Sequence, residues 1–209
     1  MTPDARPLLA LAPVIPVLTI KDAAMAVPLA RALVAGGLPV VEVTLRTPAA
    51  LDAIRAIARD VPDAVVGAGT ITRTGDIQAA TAAGSRFLVS PGTPPDLAEE
   101  LAGVPVPVLP GCATATEAMA LAARGFTALK FFPAEPSGGA AFLKSLSGPL
   151  PGLIFCPTGG IDAAKAPSYL ALANVGAVGG SWIVPDDALT SGDFARITAL
   201  ARTARALRP

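Results

Sequence analysis

Short apolar runs rich in β-branched residues recur along the whole of this 209-residue chain, separated by segments rich in Ala and Leu at helical spacing. The runs cover residues 14–18, 40–44, 64–68, 87–90, 106–109, 128–132, 153–156 and 176–178. Strands that alternate with helices indicate βαβ units, whose strands pair in parallel. The sequence therefore predicts an α/β protein built around a parallel sheet.

The number and spacing of the runs favour a closed sheet. Eight units of roughly 25 residues each match a compact (β/α)8 barrel, or TIM barrel. The alternative is a doubly wound open sheet, which normally has fewer strands at this length and carries a Gly-x-Gly-x-x-Gly turn after its first strand. No such turn follows the first run. We therefore predict a single compact (β/α)8-barrel domain over residues 1–209, with a short N-terminal helix.

Polar residues and one proline mark the predicted helix ends. Asp22, Thr74, Thr114 and Asp162 stand where helical segments open, so each is expected to cap a helix. Pro28 falls inside the first predicted helix, where its ring disrupts a regular interior turn. A kink or a late helix start is expected there.

The composition argues against several classes of function. Apolar residues make up 52% of the chain and charged residues 15%, as is typical of a folded domain with a large core. The formal net charge is zero and no basic tract is present, so nucleic acid is not an expected partner. The chain has no His, which is the commonest general base and metal ligand. Cys112 and Cys156 lack a metal-type spacing and are expected to be buried free thiols.

The apolar segment 8–20 follows Arg6 and resembles a short secretory signal. Pro13 and Pro16 interrupt it, Asp4 offsets the positive charge, and its removal would delete the first predicted strand. No stretch of the sequence is long enough to cross a bilayer as a helix. We therefore expect a cytoplasmic protein that does not associate with membranes.

Lys130 is the one lysine that falls within a predicted strand. Alternation along a strand places Lys130 on one face and Leu129 and Phe131 on the other. If the latter two pack against helices, the lysine points into the barrel, where loss of hydration favours a neutral, nucleophilic amine. The alternative is a lysine whose side chain extends from the strand end to solvent.

The same alternation in the second run places Glu42 on the inward face, because Val41 and Val43 suit the face that packs against helices. An inward carboxylate close to Lys130 can move protons, and in a chain without His a Glu is the expected acid–base group. The alternative is a structural ion pair with Lys130 or with Arg46, which does not exclude catalysis.

Arg46 and Thr70 stand where two of the predicted strands end. The guanidinium of Arg46 suits a substrate carboxylate. Thr70 supplies a hydroxyl directly after Gly69, where the absence of a side chain lets a ligand approach the backbone. Each residue also fits a purely structural role in its loop.

Glycine pairs follow the last two predicted strands. The pair Gly159-Gly160 follows Thr158, and the pair Gly179-Gly180 precedes Ser181. In TIM barrels the loops after strands seven and eight commonly form a phosphate site, and glycine pairs expose backbone N–H groups to an anion. Glycine is also common in ordinary turns. Two pairs at the expected positions favour a phosphate site.

Five segments together resemble one enzyme family. They are Val41-Glu42-Val43-Thr44-Leu45-Arg46-Thr47, Val66-Gly67-Ala68-Gly69-Thr70, Leu129-Lys130-Phe131-Phe132-Pro133-Ala134-Glu135, Phe155-Cys156-Pro157-Thr158-Gly159-Gly160-Ile161 and Gly179-Gly180-Ser181-Trp182. In this order they resemble the 2-keto-3-deoxy-6-phosphogluconate aldolases, which include the 4-hydroxy-2-oxoglutarate aldolases. The resemblance extends from about residue 14 to residue 202.

The resemblance implies a class I aldolase on a TIM barrel, which needs no metal or other cofactor, acts on a small 2-keto acid and is usually a homotrimer. It implies Lys130 as the Schiff-base lysine, Glu42 as the proton shuttle, and Arg46 and Thr70 at the pyruvyl carboxylate. The residues that it places near the phosphate, or at the same mouth of the barrel, are Thr158, Gly159, Gly160, Gly180 and Ser181. The implied reaction is the Entner–Doudoroff cleavage to pyruvate and glyceraldehyde 3-phosphate.

Other substrates and other classes of protein remain as alternatives. Within the family they are 4-hydroxy-2-oxoglutarate, the galactonate epimer and an unphosphorylated sugar acid. A pyridoxal-phosphate protein also combines a Schiff-base lysine with a phosphate site. A metal-dependent class II aldolase is disfavoured by the absence of His, and a non-catalytic phosphometabolite-binding barrel leaves Lys130 without a function.

Overall fold

The structure, a computed structural model, describes residues 3–208 of the chain. The strands are β1 (Val14–Leu18), β2 (Val40–Thr44), β3 (Val65–Gly69), β4 (Leu88–Val89), β5 (Val108–Leu109), β6 (Gly111–Cys112), β7 (Ala128–Phe131), β8 (Ile154–Pro157) and β9 (Val178–Gly180). The α-helices are α1 (Arg6–Ala10), α2 (Ala26–Ala35), α3 (Ala50–Asp60), α4 (Thr74–Ala82), α5 (Pro95–Ala102), α6 (Ala115–Ala122), α7 (Gly139–Leu146), α8 (Ala166–Leu170), α9 (Asp186–Ser191) and α10 (Phe194–Arg205). Each of the eight predicted runs overlaps a strand.

The strands pair in parallel and form two hydrogen-bonded pieces. A six-stranded piece has the order β5-β4-β3-β2-β1-β9, and a three-stranded piece has the order β6-β7-β8. Two isolated parallel bridges, Phe155 with Val175 and Thr158 with Gly179, join the end of the second piece to the segment that contains β9. The protein thus has an α/β fold with a curled parallel sheet, as the alternation of runs predicts.

The fifth predicted strand differs from the observed one because of a proline. The run 106–109 forms only Val108–Leu109, and the chain then pairs again at Gly111–Cys112 beyond Pro110. Proline has no N–H to donate to a ladder, so the pairing is interrupted there. Pro110 still accepts a hydrogen bond from the N–H of Lys130 at 3.0 Å. The interruption lets β5 pair with β4 while β6 pairs with β7.

The two faces of the sheet bury different clusters. Val41 and Leu129 belong to a large cluster that includes the helices. Val40 and Ala128, which alternate with them, belong to a smaller cluster that also contains Ile15, Val89 and Cys156. Residues of strands from both pieces share this smaller cluster, so it lies on the concave face of the curled sheet. Glu42 and Lys130 lie two residues further along the same face.

Helix α1 covers the amino ends of the strands. Its residues Leu8 and Leu9 are buried in the smaller cluster, and the prediction of a short N-terminal helix is confirmed. The apolar segment 8–20 therefore contributes to both the core and the first strand. Within residues 3–208, the structure has no helix with the length and apolarity that crossing a membrane requires.

Two of the four predicted caps are confirmed. Thr114 forms a capping box with Glu117, and Asp22 accepts a hydrogen bond from Ala24 in the 3-10 turn that precedes α2. That turn delays the start of α2 to Ala26 and leaves Pro28 in the first helical turn, where proline is tolerated. The late helix start expected at Pro28 is thereby confirmed.

The predicted caps at Thr74 and Asp162 are wrong. Thr74 is already the first residue of α4, and its side chain makes no cap hydrogen bond. The carboxylate of Asp76 lies across that helix start and accepts from the N–H of Thr72 at 3.0 Å. Asp162 accepts from Ala164 and Lys165 in a turn that precedes the start of α8, so it stabilises the turn instead of the helix.

Candidate active site

Glu42 on β2 and Lys130 on β7 meet across the concave face of the sheet. The Nζ atom of Lys130 lies 3.1 Å from Oε1 and 3.4 Å from Oε2 of Glu42, and both residues are 4% exposed. They are 88 positions apart in the chain, and they belong to different pieces of the sheet. The inward orientation predicted for both residues is confirmed, and of the two ion-pair partners considered as an alternative for Glu42 the observed one is Lys130.

The surroundings of this pair are shaped by a glycine and a phenylalanine. A Cβ atom at Gly69 would lie 2.0 Å from Oε1 of Glu42, so only glycine leaves room for the carboxylate. The ring of Phe132 is centred 5.4 Å from Nζ of Lys130, within the range of a cation–π contact. Charges removed from water must be compensated by close partners. The pair and the ring supply that compensation.

The two cysteines are buried on opposite faces of the sheet, and only Cys156 is on the face that carries the pair. Cys112 and Cys156 are buried and free, as predicted. Burial raises the pKa of the Cys156 thiol to about 12, although nearby Lys130 opposes the shift. Burial likewise raises the pKa of Cys112 to about 12. Both side chains therefore stay as neutral thiols at physiological pH.

Arg46 and Thr70 are brought together at the carboxyl ends of β2 and β3. The Nε atom of Arg46 donates to Oγ1 of Thr70 at 3.1 Å. Thr70 has φ +64°, a left-handed conformation that is uncommon for a threonine. Such strain persists where the surrounding structure imposes it, and it is frequent at ligand sites. The hydrogen bond leaves the two terminal NH2 groups of the exposed guanidinium free of any partner among residues 3–208.

The carbonyl groups of the glycine turn (Thr158, Gly159 and Gly160) are held on one side. The oxygen of Thr158 accepts from the N–H of Ala134 at 2.8 Å, and that of Gly159 from the N–H of Glu135 at 3.1 Å. The oxygen of Gly160 accepts from Nζ of Lys165 at 2.8 Å. Left-handed φ values of +105° and +77° at the two glycines make this path possible.

The amides of the same turn are unpaired. In a trans peptide the N–H points away from the preceding carbonyl oxygen. The N–H groups of Gly159, Gly160 and Ile161 therefore point away from the loop that holds the carbonyls. Among residues 3–208 none of these three N–H groups has a hydrogen-bond partner. Successive free amides of this kind form an anion-binding concavity.

Ser181 lies beside the glycine turn because β8 and β9 end next to each other. The bridge between Thr158 and Gly179 sets this arrangement, and a Cβ at Gly179 would lie 2.2 Å from Oγ1 of Thr158. Gly180 is equally constrained, since its Cβ would lie 1.7 Å from the ring of Trp182. Ser181 lines a cavity of about 280 Å³ together with residues of the loop after β1.

Sequence reasoning missed several residues of the site. Glu135, Lys165 and Tyr169 form a hydrogen-bonded chain behind the glycine turn. No sequence signal indicated Lys165, because it lies between alanines in a loop and outside every predicted strand. Glu135 did have a sequence signal, since it is the last residue of the segment from Leu129 to Glu135 that carries the family resemblance. Lys21 also lines the cavity beside Ser181.

The described residues contain no group of three or more His, Cys, Asp or Glu side chains that is arranged to hold a metal ion. The chemistry available at the site is thus that of a buried amine and carboxylate, with an arginine on one side and free amides on the other. This arrangement is suited to a small anionic carbonyl compound, and it defines an amine-dependent, carbonyl-binding α/β protein.

Comparison with known proteins identifies the family. Residues 6–200 match the model of the KDPG and KHG aldolase family, and the chain belongs to this family. A 2-dehydro-3-deoxy-phosphogluconate aldolase of Pseudoalteromonas atlantica is 51% identical over 192 residues, which cover 92% of this chain and 89% of that protein.

Solved structures agree with this assignment. A KDPG aldolase from Legionella pneumophila, with pyruvate captured as a covalent carbinolamine intermediate, is 42% identical with a TM-score of 0.95 over 97% of this chain and 98% of its own. The 2-keto-3-deoxy-6-phosphogluconate aldolase of Zymomonas mobilis ZM4 with 3-phosphoglycerate is 47% identical with a TM-score of 0.92, covering 98% and 96%.

Proposed function

We propose that this protein is a class I aldolase that cleaves 2-keto-3-deoxy-6-phosphogluconate to pyruvate and glyceraldehyde 3-phosphate. The observation that carries the proposal is the buried contact of 3.1 Å between Lys130 and Glu42. The relatives named above and the carbinolamine in the Legionella pneumophila enzyme support both the reaction and its covalent mechanism.

In the proposed reaction the amine of Lys130 attacks the C2 ketone of the substrate. Glu42, in contact with that amine, accepts the proton that the amine must lose. Glu42 returns this proton to the hydroxyl of the resulting carbinolamine, which leaves as water and gives an iminium that can accept an electron pair. No redox step or metal ion is needed, because the electron sink forms from the side chain and the substrate themselves.

Cleavage follows from a second proton transfer. Glu42, directly or through a water, removes the proton of the C4 hydroxyl, and the C3–C4 bond breaks. The electron pair of that bond moves toward the iminium nitrogen and leaves an enamine, while C4 becomes the aldehyde carbon of glyceraldehyde 3-phosphate. Protonation of the enamine at C3 and hydrolysis of the iminium then release pyruvate and restore Lys130.

The two anionic ends of the substrate are assigned to different strand exits. Arg46 and Thr70 bind the pyruvyl carboxylate, supported by their mutual hydrogen bond and the exposed guanidinium. The free amides that follow Thr158, together with Gly180 and Ser181, bind the phosphate. These amides favour a phosphorylated substrate over 4-hydroxy-2-oxoglutarate, whose aldolases belong to the same family.

We also propose that the curled sheet closes into a (β/α)8 barrel. The two isolated bridges on the β9 side support closure at one join. The second join lies between β5 and β6. Only Pro110 separates these two strands, which supports a single continuous strand there. A homotrimer in the cytoplasm stays a prediction, which sedimentation and cell fractionation would test.

The test combines turnover with trapping. Pyruvate release is measured on phosphorylated 2-keto-3-deoxygluconate, its galactonate epimer and 4-hydroxy-2-oxoglutarate, and the first should have the highest kcat/KM. Borohydride added with pyruvate should inactivate the protein and attach one pyruvate-derived unit per chain within residues 128–133, which contain no lysine other than Lys130. Labelling at Lys21, Lys144 or Lys165 would contradict the assignment of the nucleophile. Turnover without any labelling would contradict the class I mechanism.

A further inference from the structure

The glycine turn is supported from behind by a chain of three polar side chains. The hydroxyl of Tyr169 donates to Oε1 of Glu135, and Nζ of Lys165 lies 3.1 Å from Oε2 of the same carboxylate. Nζ of Lys165 also donates to the carbonyl of Gly160. Each carboxylate oxygen of Glu135 thus has its own partner, and one of those partners holds the turn.

This hydrogen-bonded chain of side chains has a buried end and a more exposed end. Tyr169 is 1% exposed, whereas the side chains of Glu135 and Lys165 are 32% and 45% exposed. The hydrogen bond from Tyr169, followed by that from Lys165, holds the pKa of the Glu135 carboxyl below its usual value, so this carboxyl is ionised at physiological pH. Lys165 is therefore held between the Glu135 carboxylate and a carbonyl of the turn.

Glu135 also packs directly against the turn. A Cβ at Gly160 would lie 2.8 Å from Cβ and Cγ of Glu135, which requires glycine at that position. The N–H of Glu135 binds the carbonyl of Gly159. Side chain and backbone of one residue thus contact both glycines, on the side opposite to the free amides.

We propose that Glu135, Lys165 and Tyr169 are positioning residues that hold the glycine turn in the conformation that presents its free amides, and thereby set the affinity for the distal phosphate. The inference rests on the proposed function, since it takes those amides as the phosphate site. None of the three side chains forms a hydrogen bond or ion pair with Lys130 or Glu42. Their effect is confined to the anion end of the substrate.

The experiment compares substrates with and without the phosphate in the variants Glu135→Gln, Lys165→Met and Tyr169→Phe. Loss of a hydrogen bond to a charged group typically corresponds to about a tenfold change in affinity. We expect KM for the phosphorylated substrate to rise about five- to tenfold, with kcat changed by no more than about twofold. KM for unphosphorylated 2-keto-3-deoxygluconate and the rate of trapping with pyruvate should be unchanged.

Glu135→Gln separates positioning from simple electrostatics. It removes a negative charge near the turn, so if Lys165 acted on the phosphate only as a charge, affinity would increase. Positioning predicts the opposite, a weaker affinity. Lys165→Arg, which keeps the charge and the donors, should recover KM to within about threefold of the parent. Lys144→Met removes an exposed lysine of α7 whose ammonium has no partner among residues 3–208, and it serves as the unaffected control.

Competition by inorganic phosphate gives a readout that does not depend on cleavage. The inhibition constant of phosphate should rise in the three variants in proportion to KM. Equal affinity for phosphate in parent and variants, or equal effects on both substrates, would overturn the positioning role. Absence of phosphate binding to the parent protein would overturn the proposed phosphate site instead, so that the two failures are distinct.

Discussion

The Glu42–Lys130 pair and the glycine turn lie near neighbouring strand ends but use different parts of the polypeptide. The pair consists of side chains that are 4% exposed, whereas Gly160 is exposed and the turn presents backbone amides. Covalent attack requires an amine that can give up its proton, and proton transfer requires a carboxylate in contact with that amine. Anion binding requires only oriented N–H groups, which remain useful at the surface.

Substitutions in the two regions are therefore expected to have different kinetic effects. Removing one member of a buried ion pair leaves a charge without compensation and, in the proposed mechanism, also removes a reacting group. Altering the glycine turn changes the direction of amides and leaves the reacting centre in place. Substitutions in the first region should reduce kcat, and those in the second should raise KM.

The largest effect is expected for Lys130→Met. Turnover and borohydride trapping should both be abolished, because no amine remains at the position that faces Glu42. The unpaired carboxylate should lower the free energy of unfolding by about 3–5 kcal/mol. Thermal unfolding of the double variant Lys130→Met with Glu42→Gln should recover part of this loss. Lys130→Arg should also be inactive, because a guanidinium stays protonated and cannot attack a carbonyl.

Glu42→Gln should reduce kcat by about 10²- to 10⁴-fold, the usual contribution of a general acid–base group. The amide keeps the shape of the carboxylate and removes its capacity to accept a proton. Iminium formation should persist in part, since borohydride trapping reports an earlier step than cleavage. Near-normal kcat would assign the proton transfer to another group and remove half of the contrast between the two regions.

Gly69→Ala tests whether the reacting centre depends on space as well as on chemistry. The new Cβ would lie 2.0 Å from Oε1 of Glu42 and would displace the carboxylate from Lys130. We expect kcat to fall by about 10²-fold, comparable to the smallest effect of removing the base itself. Gly75→Ala is the matched control, because no atom lies within 4 Å of the added Cβ. Equal kinetics for both variants would show that Glu42 can act from a shifted position.

Ser181→Asp should affect KM and spare kcat. An added carboxylate beside the glycine turn repels the phosphate, and KM for phosphorylated substrate should rise about tenfold or more. KM for an unphosphorylated analogue should change little, which separates this variant from those at the reacting centre. An equal rise for both substrates would mean that Ser181 does not contact the phosphate end.

The smallest effect concerns the two buried thiols. With pKa values raised to about 12 by burial, Cys112 and Cys156 are protonated in the folded protein up to alkaline pH. A disulfide reagent at pH 8 should leave both unmodified and the activity intact, and should modify both after unfolding. Fast modification in the folded state would show that the reacting centre is more open to water than its burial indicates.

Much of the fold and part of the site follow from local patterns. The strands β1 and β2 begin and end where the apolar runs do, and alternation along the runs correctly placed Glu42 and Lys130 on one face. Period-2 geometry is a property of the strand itself, so it can be read without knowing the partner strands. The capping box at Thr114 is equally local, because its two residues are three positions apart.

Short strands of glycine and proline were harder to place. The last run was predicted at 176–178, whereas β9 is Val178–Gly180, because glycine has low strand propensity and its pairing with β1 supplies the stabilisation. The run 106–109 ends before Pro110, and it did not predict the second strand at Gly111–Cys112, which pairs with β7 while β5 pairs with β4. The cap predicted at Thr74 is wrong because the carboxylate of Asp76 accepts from the N–H of Thr72, just before α4.

The sequence by itself determined which side chains turn inward, because alternation along a strand is a property of the local backbone. Only the tertiary structure decided that Glu42 and Lys130 lie 3.1 Å apart, that Gly69 leaves room for the carboxylate, and that Lys165 reaches the carbonyl of Gly160. The first two contacts join segments that are distant in the chain, whereas Lys165 and Gly160 are five positions apart in one loop. Their distances depend on how the sheet curls and how the loops pack, and no local pattern encodes that curvature.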